Sequence, residues 1–243
     1  MKSFFLPDEP VVHIGIVDKK GDQMWNGVQT GSDGMSDHWN RAVVGSPLSV
    51  VGSPLSVVGS PLSIITYTNA DEVELLLNGR SLGRKQNPIA DPKQRNQIRW
   101  DGIAYRPGRL EAIARNGDKI VARHQIETTG EAKRLTAEAD KKQWMADGRD
   151  LQHVRIVATD QKGRHVQTCD HEITFSIEGN ARIVAITNGD ITSDALAVEG
   201  SHSLYNGTCT IILRSTQTPG SVTLTVTSPG VKGVKLELTT YGK

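Results

Sequence analysis

The stretch at 64–83, IITYTNADEVELLLNGRSLG, leaves little room for anything but paired strands. Ile64, Ile65, Tyr67 and Thr68 are β-branched or aromatic and suit a half-buried pleated surface. Asn69-Ala70-Asp71 then breaks the run with residues that tolerate turns. Val73, Leu75 and Leu77 alternate with Glu72, Glu74 and Asn78, giving one apolar and one polar face. Leu76 interrupts the alternation and is expected to lie under a neighbouring loop or domain. Asn78-Gly79 is the strongest short hairpin signal, because a type I′ turn needs positive φ at both central residues. Ser81-Leu82-Gly83 begins the expected return strand.

The same rhythm runs through the rest of the chain, helped by 24 glycines and 10 prolines. After a polar connection at 85–94, Ile98 and Trp100 share one face of a strand. The segments 110–115 and 120–126 pair across Asn116-Gly117-Asp118. Thr128-Thr129-Gly130-Glu131 reads as a linker. Beyond it, Leu135, Ala137 and Ala139 alternate, as do Val154, Ile156 and Ala158. Ile173, Phe175 and Ile177 follow, then Val222, Leu224 and Val226, and Val234, Leu236 and Leu238. Turn signals recur roughly every 8 to 12 residues, the spacing of a sandwich. The predicted fold is all-β: two tandem immunoglobulin-like antiparallel β-sandwiches, at 64–129 and 132–243, with an irregular N-terminal segment.

Residues 1–42 show one short strand-like run at 11–17. Residues 43–63 are three copies of VVGSPLS. A seven-residue period invites a coiled coil, but each copy carries a proline, which a helix interior rejects at ~3 kcal/mol. The tract therefore reads as a duplicated loop.

Several phrases, taken in order, resemble the sandwich domain that follows the catalytic barrel in family 2 glycoside hydrolases of the β-galactosidase type. They are YTNADEVELLLNGRSLG at 67–83, Trp100, Tyr105-Arg106-Pro107-Gly108 and Thr128-Thr129-Gly130-Glu131. The resemblance continues into a second sandwich at Ala146-Asp147-Gly148, Asp150-Leu151 and Thr187-Asn188-Gly189-Asp190. His38-Trp39-Asn40 resembles the end of the preceding barrel, which makes 1–42 a barrel-end remnant packed on a partner. The resemblance implies a non-catalytic accessory portion supporting β-galactoside hydrolysis by a barrel domain encoded elsewhere. Two other readings are a free-standing carbohydrate-binding module and an adhesion or spacer module.

The chemistry of such hydrolases argues the same way. They use two carboxylates about 5–5.5 Å apart on a barrel of about 250 residues, and with 64–243 read as sandwich only 1–63 remain. Glu72 and Glu74 read as a solvated strand face rather than a catalytic pair, so no catalytic residue is assigned. The seven histidines show no metal-ligand spacing, and His165 and His171 around Cys169 lack a second thiol pair. Asp147-Gly148-Arg149-Asp150 supplies too few oxygens for calcium. Neither metal nor cofactor is expected. Cys169 and Cys209 read as unpaired thiols, with a disulfide left open. Trp39, Trp25 and His38 are the carbohydrate-contact candidates, while Trp100 and Trp144 are expected in cores.

A net charge of +1 gives no footprint for nucleic acid or an anionic membrane. The apolar start Met1-Lys2-Ser3-Phe4-Phe5-Leu6 is cut off by Pro7-Asp8-Glu9-Pro10, too early for a leader. A cytoplasmic location follows for the chain as written, and a periplasmic or secreted one if an upstream segment exists.

Overall fold

The computed structural model describes residues 9–19, 24–25, 28–29, 34–41, 59–190 and 200–242, with the backbone alone at 18–19, 24–25, 28–29 and 34. Two compact units divide the chain, Met1–Thr128 and Thr129–Lys243. Among the described residues every regular element is a strand.

In the first unit the strands are β1 (Val12–Lys19), β2 (Met24–Trp25), β3 (Val28–Gln29), β4 (Gly34–Ser36), β5 (Pro61–Thr68), β6 (Glu72–Leu77), β7 (Arg80–Gln86), β8 (Gln97–Ala104), β9 (Arg109–Asn116) and β10 (Lys119–Glu127). One sheet runs β4-β1-β5-β8 and the other β10-β9-β6-β7, while β2 and β3 pair with each other. Alternation decides what faces inward. Ile14 and Ile16 of β1, Ile64 of β5, Val73 and Leu75 of β6 and Leu110 and Ala112 of β9 meet in one core. The Asn78-Gly79 turn has φ of 53° and 80°, as a type I′ turn requires. Leu76 is half-buried on the outer face of β6, next to the register shift where β7 bulges between Gly83 and Ser81.

Two seams close this sandwich, each with a side chain from one sheet on a backbone group of the other. Lys85 of β7 donates its Nζ to the Arg99 carbonyl of β8 at 2.7 Å, and sits 4.9 Å from the centroid of the buried Trp100 ring. At the opposite seam the Ile14 amide of β1 donates to Nδ1 of His124 on β10 at 3.2 Å.

The boundaries differ from the sequence expectation in two places. The irregular remnant at 1–42 is corrected at Val12–Lys19, which lies inside the first sheet between β4 and β5. Val12, Ile14 and Ile16 of the strand-like run at 11–17 alternate inward and join the core of the first unit. The loop at 43–63 is corrected at its end, because Pro61-Leu62-Ser63 opens β5 and Leu62 is buried. Proline is acceptable there as the first residue of a strand. Residues 43–58 lie outside the described residues.

The second unit contains β11 (Arg134–Ala139), β12 (Gln143–Met145), β13 (Leu151–Thr159), β14 (Glu172–Gly179), β15 (Ala181–Thr187), β16 (Ser201–Ser203), β17 (Thr208–Ser215), β18 (Gly220–Ser228) and β19 (Val231–Tyr241). Their order is β15-β17-β13-β11-β19-β18-β14-β16, with β12 running parallel to β19. A single parallel pair, Arg134 with Lys232, joins β11 to β19 and marks the crease between the two halves. Val154, Ile156, Ile211 and Leu213 from one half pack with Ile173, Val222, Leu224 and Val226 from the other. Threonines 223, 225 and 227 fill the outward positions of β18, as suits a face wet on one side. The molecule is thus two tandem immunoglobulin-like antiparallel sandwiches.

Candidate functional site

Four of the phrases singled out in the sequence of the first unit converge on one place. Asn78, the first residue of the β6–β7 turn, donates its Nδ2 to the Pro107 carbonyl at 3.0 Å and accepts from the Arg109 amide at 2.8 Å. Trp39 donates its Nε1 to the Arg106 carbonyl at 2.9 Å. The Trp39 carbonyl in turn accepts from the Tyr105 hydroxyl at 3.2 Å and from Thr128 Oγ1 at 3.1 Å. Thr128 also takes the Gly108 amide at 3.0 Å. Gly108 has φ of +132°, and a Cβ there would overlap the Asn78 carboxamide, so glycine is required twice over.

The arrangement is a clasp, not a reactive centre. Trp39 is fully buried with its ring edge-on to Tyr105, centroids 5.1 Å apart. This corrects its reading as a carbohydrate contact: a ring with no exposed face has nothing on which a sugar can stack. His38 accepts the Asn40 amide on Nδ1 at 3.2 Å and turns the backbone beside the clasp. The side chain of Trp25 lies outside the described residues. Trp100 is a core residue, its Nε1 donating to the buried Thr66 Oγ1 at 3.1 Å, and Trp144 is fully buried in the second unit.

Glu72 and Glu74 belong to a mosaic of charge on the outer face of β10-β9-β6-β7. Arg84 reaches both, at 3.5 and 3.4 Å, and Arg115 reaches Glu74 at 3.5 Å. Arg109 and Arg123 flank Glu111 at 3.6 and 2.8 Å. The hydrogen bond from Ser81 lowers the pKa of Glu74 against the opposing effect of burial, with Arg84 and Arg115 adding to the lowering. A general acid needs the opposite shift. The Glu74 carboxylate is therefore built to stay ionised, not to protonate a leaving group.

In the second unit the acidic turn is likewise self-satisfied. Asp147 Oδ1 accepts the amides of Arg149 and Asp150 at 2.8 and 2.7 Å, and Asp150 is held by Lys141 and the Met145 amide at 2.8 and 3.0 Å. Asn188 anchors its turn by donating to the Ser203 carbonyl at 3.0 Å. His165 Nε2 lies 2.8 Å from the Asn206 carbonyl. Cys169 and Cys209 are both free and buried, and burial raises both thiols, Cys209 to about 12. Among the described residues no three His, Cys, Asp or Glu side chains are placed to hold a metal.

Asp160, just after β13, holds a carboxylate that no motif in the sequence marks. Burial raises its pKa, but this is outweighed by Arg164, whose Nε and NH2 lie 2.9 and 2.7 Å away, and by the amides of Arg164, Gly130 and Lys162. Its carboxyl is held far below the ordinary range. No local spacing announces this, because Gly130 comes from thirty positions upstream.

With this geometry in view, the family comparisons are specific. Residues 135–237 match the family described as glycoside hydrolase family 2 C-terminal domain 5, and 59–122 match a domain of unknown function, DUF4982. The second unit thus carries a C-terminal domain of the glycoside hydrolase family 2 type. The chain is similar to part of the beta-galactosidase BoGH2A of Bacteroides ovatus, at 30% identity over 172 residues, 71% of this chain and 20% of that protein. A beta-glucuronidase of Formosa agariphila is 27% identical over 177 residues, 70% of this chain and 17% of its own length. The solved structure of a family 2 member from Bacteroides cellulosilyticus superposes with a TM-score of 0.85 at 26% identity, covering 99% of this chain and 29% of that one. The chain thus spans about a fifth of the length of the curated relatives it matches.

Proposed function

We propose that these two sandwiches act as a non-catalytic accessory portion of a family 2 glycoside hydrolase, supporting β-galactoside hydrolysis by a barrel domain outside these 243 residues. The observation that carries this reading is the match to a family 2 C-terminal domain over 135–237, in a chain that spans about a fifth of a beta-galactosidase relative. The chemistry of the sites supports it. The family-like phrases are spent on turns and clasps, and the carboxylates on the exposed sheet face are locked in ion pairs. The partner under this proposal is the barrel itself.

The experiment mixes the purified chain with a family 2 β-galactosidase truncated before its own C-terminal sandwiches. Co-elution, with a rise in the truncated enzyme's thermal midpoint or turnover, is expected. Titration with lactose in a calorimeter provides the counter-test. Sustained turnover heat from this chain alone would overturn the proposal, and a saturating sugar isotherm would replace it with a carbohydrate-binding module.

A further inference from the structure

The two seams of the first sandwich are made of different chemistry. Lys85 caps a carbonyl. His124 caps an amide, and a backbone N–H can donate to an imidazole nitrogen only while that nitrogen holds a lone pair. The Ile14 amide lies on the side of β1 away from β5, and β4 reaches only Ile16, Val17 and Lys19. Over its N-terminal half, then, no strand among the described residues pairs with β1 on that side, and His124 is the group that takes the Ile14 amide.

We propose that the β1–β10 seam is an acid-operated latch: protonation of His124 breaks its bond to the Ile14 amide and frees the N-terminal edge of β1. The surroundings of the ring set the direction. From β1, His13 faces it with ring centroids 4.5 Å apart, so a second proton on the pair meets a like charge. From the segment after β4, Asp37 acts in the opposite sense. From β9, the residue opposite is the uncharged Ala112. Burial and then His13 lower the pKa of His124 from its ordinary 6.5, with Asp37 opposing. A histidine lowered on folding stabilises the closed form fully above about 6.5, and that stabilisation is lost as pH falls through the folded value.

Amide hydrogen exchange on the full chain, followed residue by residue from pH 7.5 to 4.5, tests the latch. The protection factor of the Ile14 amide is expected to fall roughly tenfold per pH unit between the unfolded and folded values of His124, while amides in the β9–β10 ladder hold theirs. His124→Asn keeps an acceptor near the Nδ1 position without titrating, and is expected to abolish the pH dependence. His13→Ala is expected to move the midpoint up in pH, and Asp37→Asn to move it down. Ile14 protection that stays flat to pH 4.5, or an unchanged pH dependence in His124→Asn, would overturn the proposal. So would a simultaneous loss across the whole unit, since that is global acid unfolding.

Discussion

At the scale of single residues, the side chains that looked most available for chemistry are the ones the fold has consumed. Trp39 supplies a buried indole, an Nε1 donor and a doubly used carbonyl to the clasp. Trp39→Ala is expected to destabilise the first unit by about 3–5 kcal/mol, the usual cost of emptying an aromatic site, as measured by urea denaturation. A sugar-contact role predicts instead a stable variant with weakened lactose binding. Asp160 gives the corresponding prediction in the second unit. Its folded-state pKa lies below the ordinary 3.8, so its contribution is complete above that value and is lost as pH falls below it. Asp160→Ala is expected to cost about 3 kcal/mol at pH 7, because Arg164 and three amides lose their partner. Denaturation at pH 7 and pH 2 checks it: the gap between wild type and variant narrows in acid.

At the scale of elements, the hairpins and alternating strands were legible because period and turn chemistry are local. Asn78-Gly79 and the inward sets Val73/Leu75/Leu77 and Val154/Ile156/Ala158 needed no knowledge of the remainder of the chain. What stayed hidden depends on distant partners. β1 joins the sheet by pairing with β4 and with β5, the latter some fifty residues later. His124 meets an amide 110 positions away, and no pattern in sequence marks an acceptor for a backbone group. The candidate site was legible as a set of phrases but not as a clasp, since Asn78 and Pro107 reveal their relation only on contact. The start of β5 yields a further prediction. Among the described residues the sheet uses Pro61-Leu62-Ser63 of the repeat, and deleting residues 43–49 is expected to shift stability by no more than about 0.5 kcal/mol, the scale of a loop-length change. A thermal melt checks it, and a loss of cooperative unfolding would show that the sheet depends on that copy.

At the scale of the whole molecule, each unit has its own core: one gathers Ile14, Ile64, Val73 and Leu110, the other Val154, Ile173, Ile211 and Leu224. The segment Thr129–Lys243, expressed alone, is expected to fold and unfold cooperatively, as followed by near-ultraviolet circular dichroism and denaturant titration. A molten spectrum would refute that independence. The repeat before β5 bears on the molecule's history. Every copy ends in Pro-Leu-Ser, so the sheet receives the same three residues whichever copy stands last. Slippage during replication that adds or removes a whole copy, in frame, rewrites the length of the chain and leaves the text of β5 and the strands after it unaltered. Lineages that differ in copy number would inherit the same sandwich.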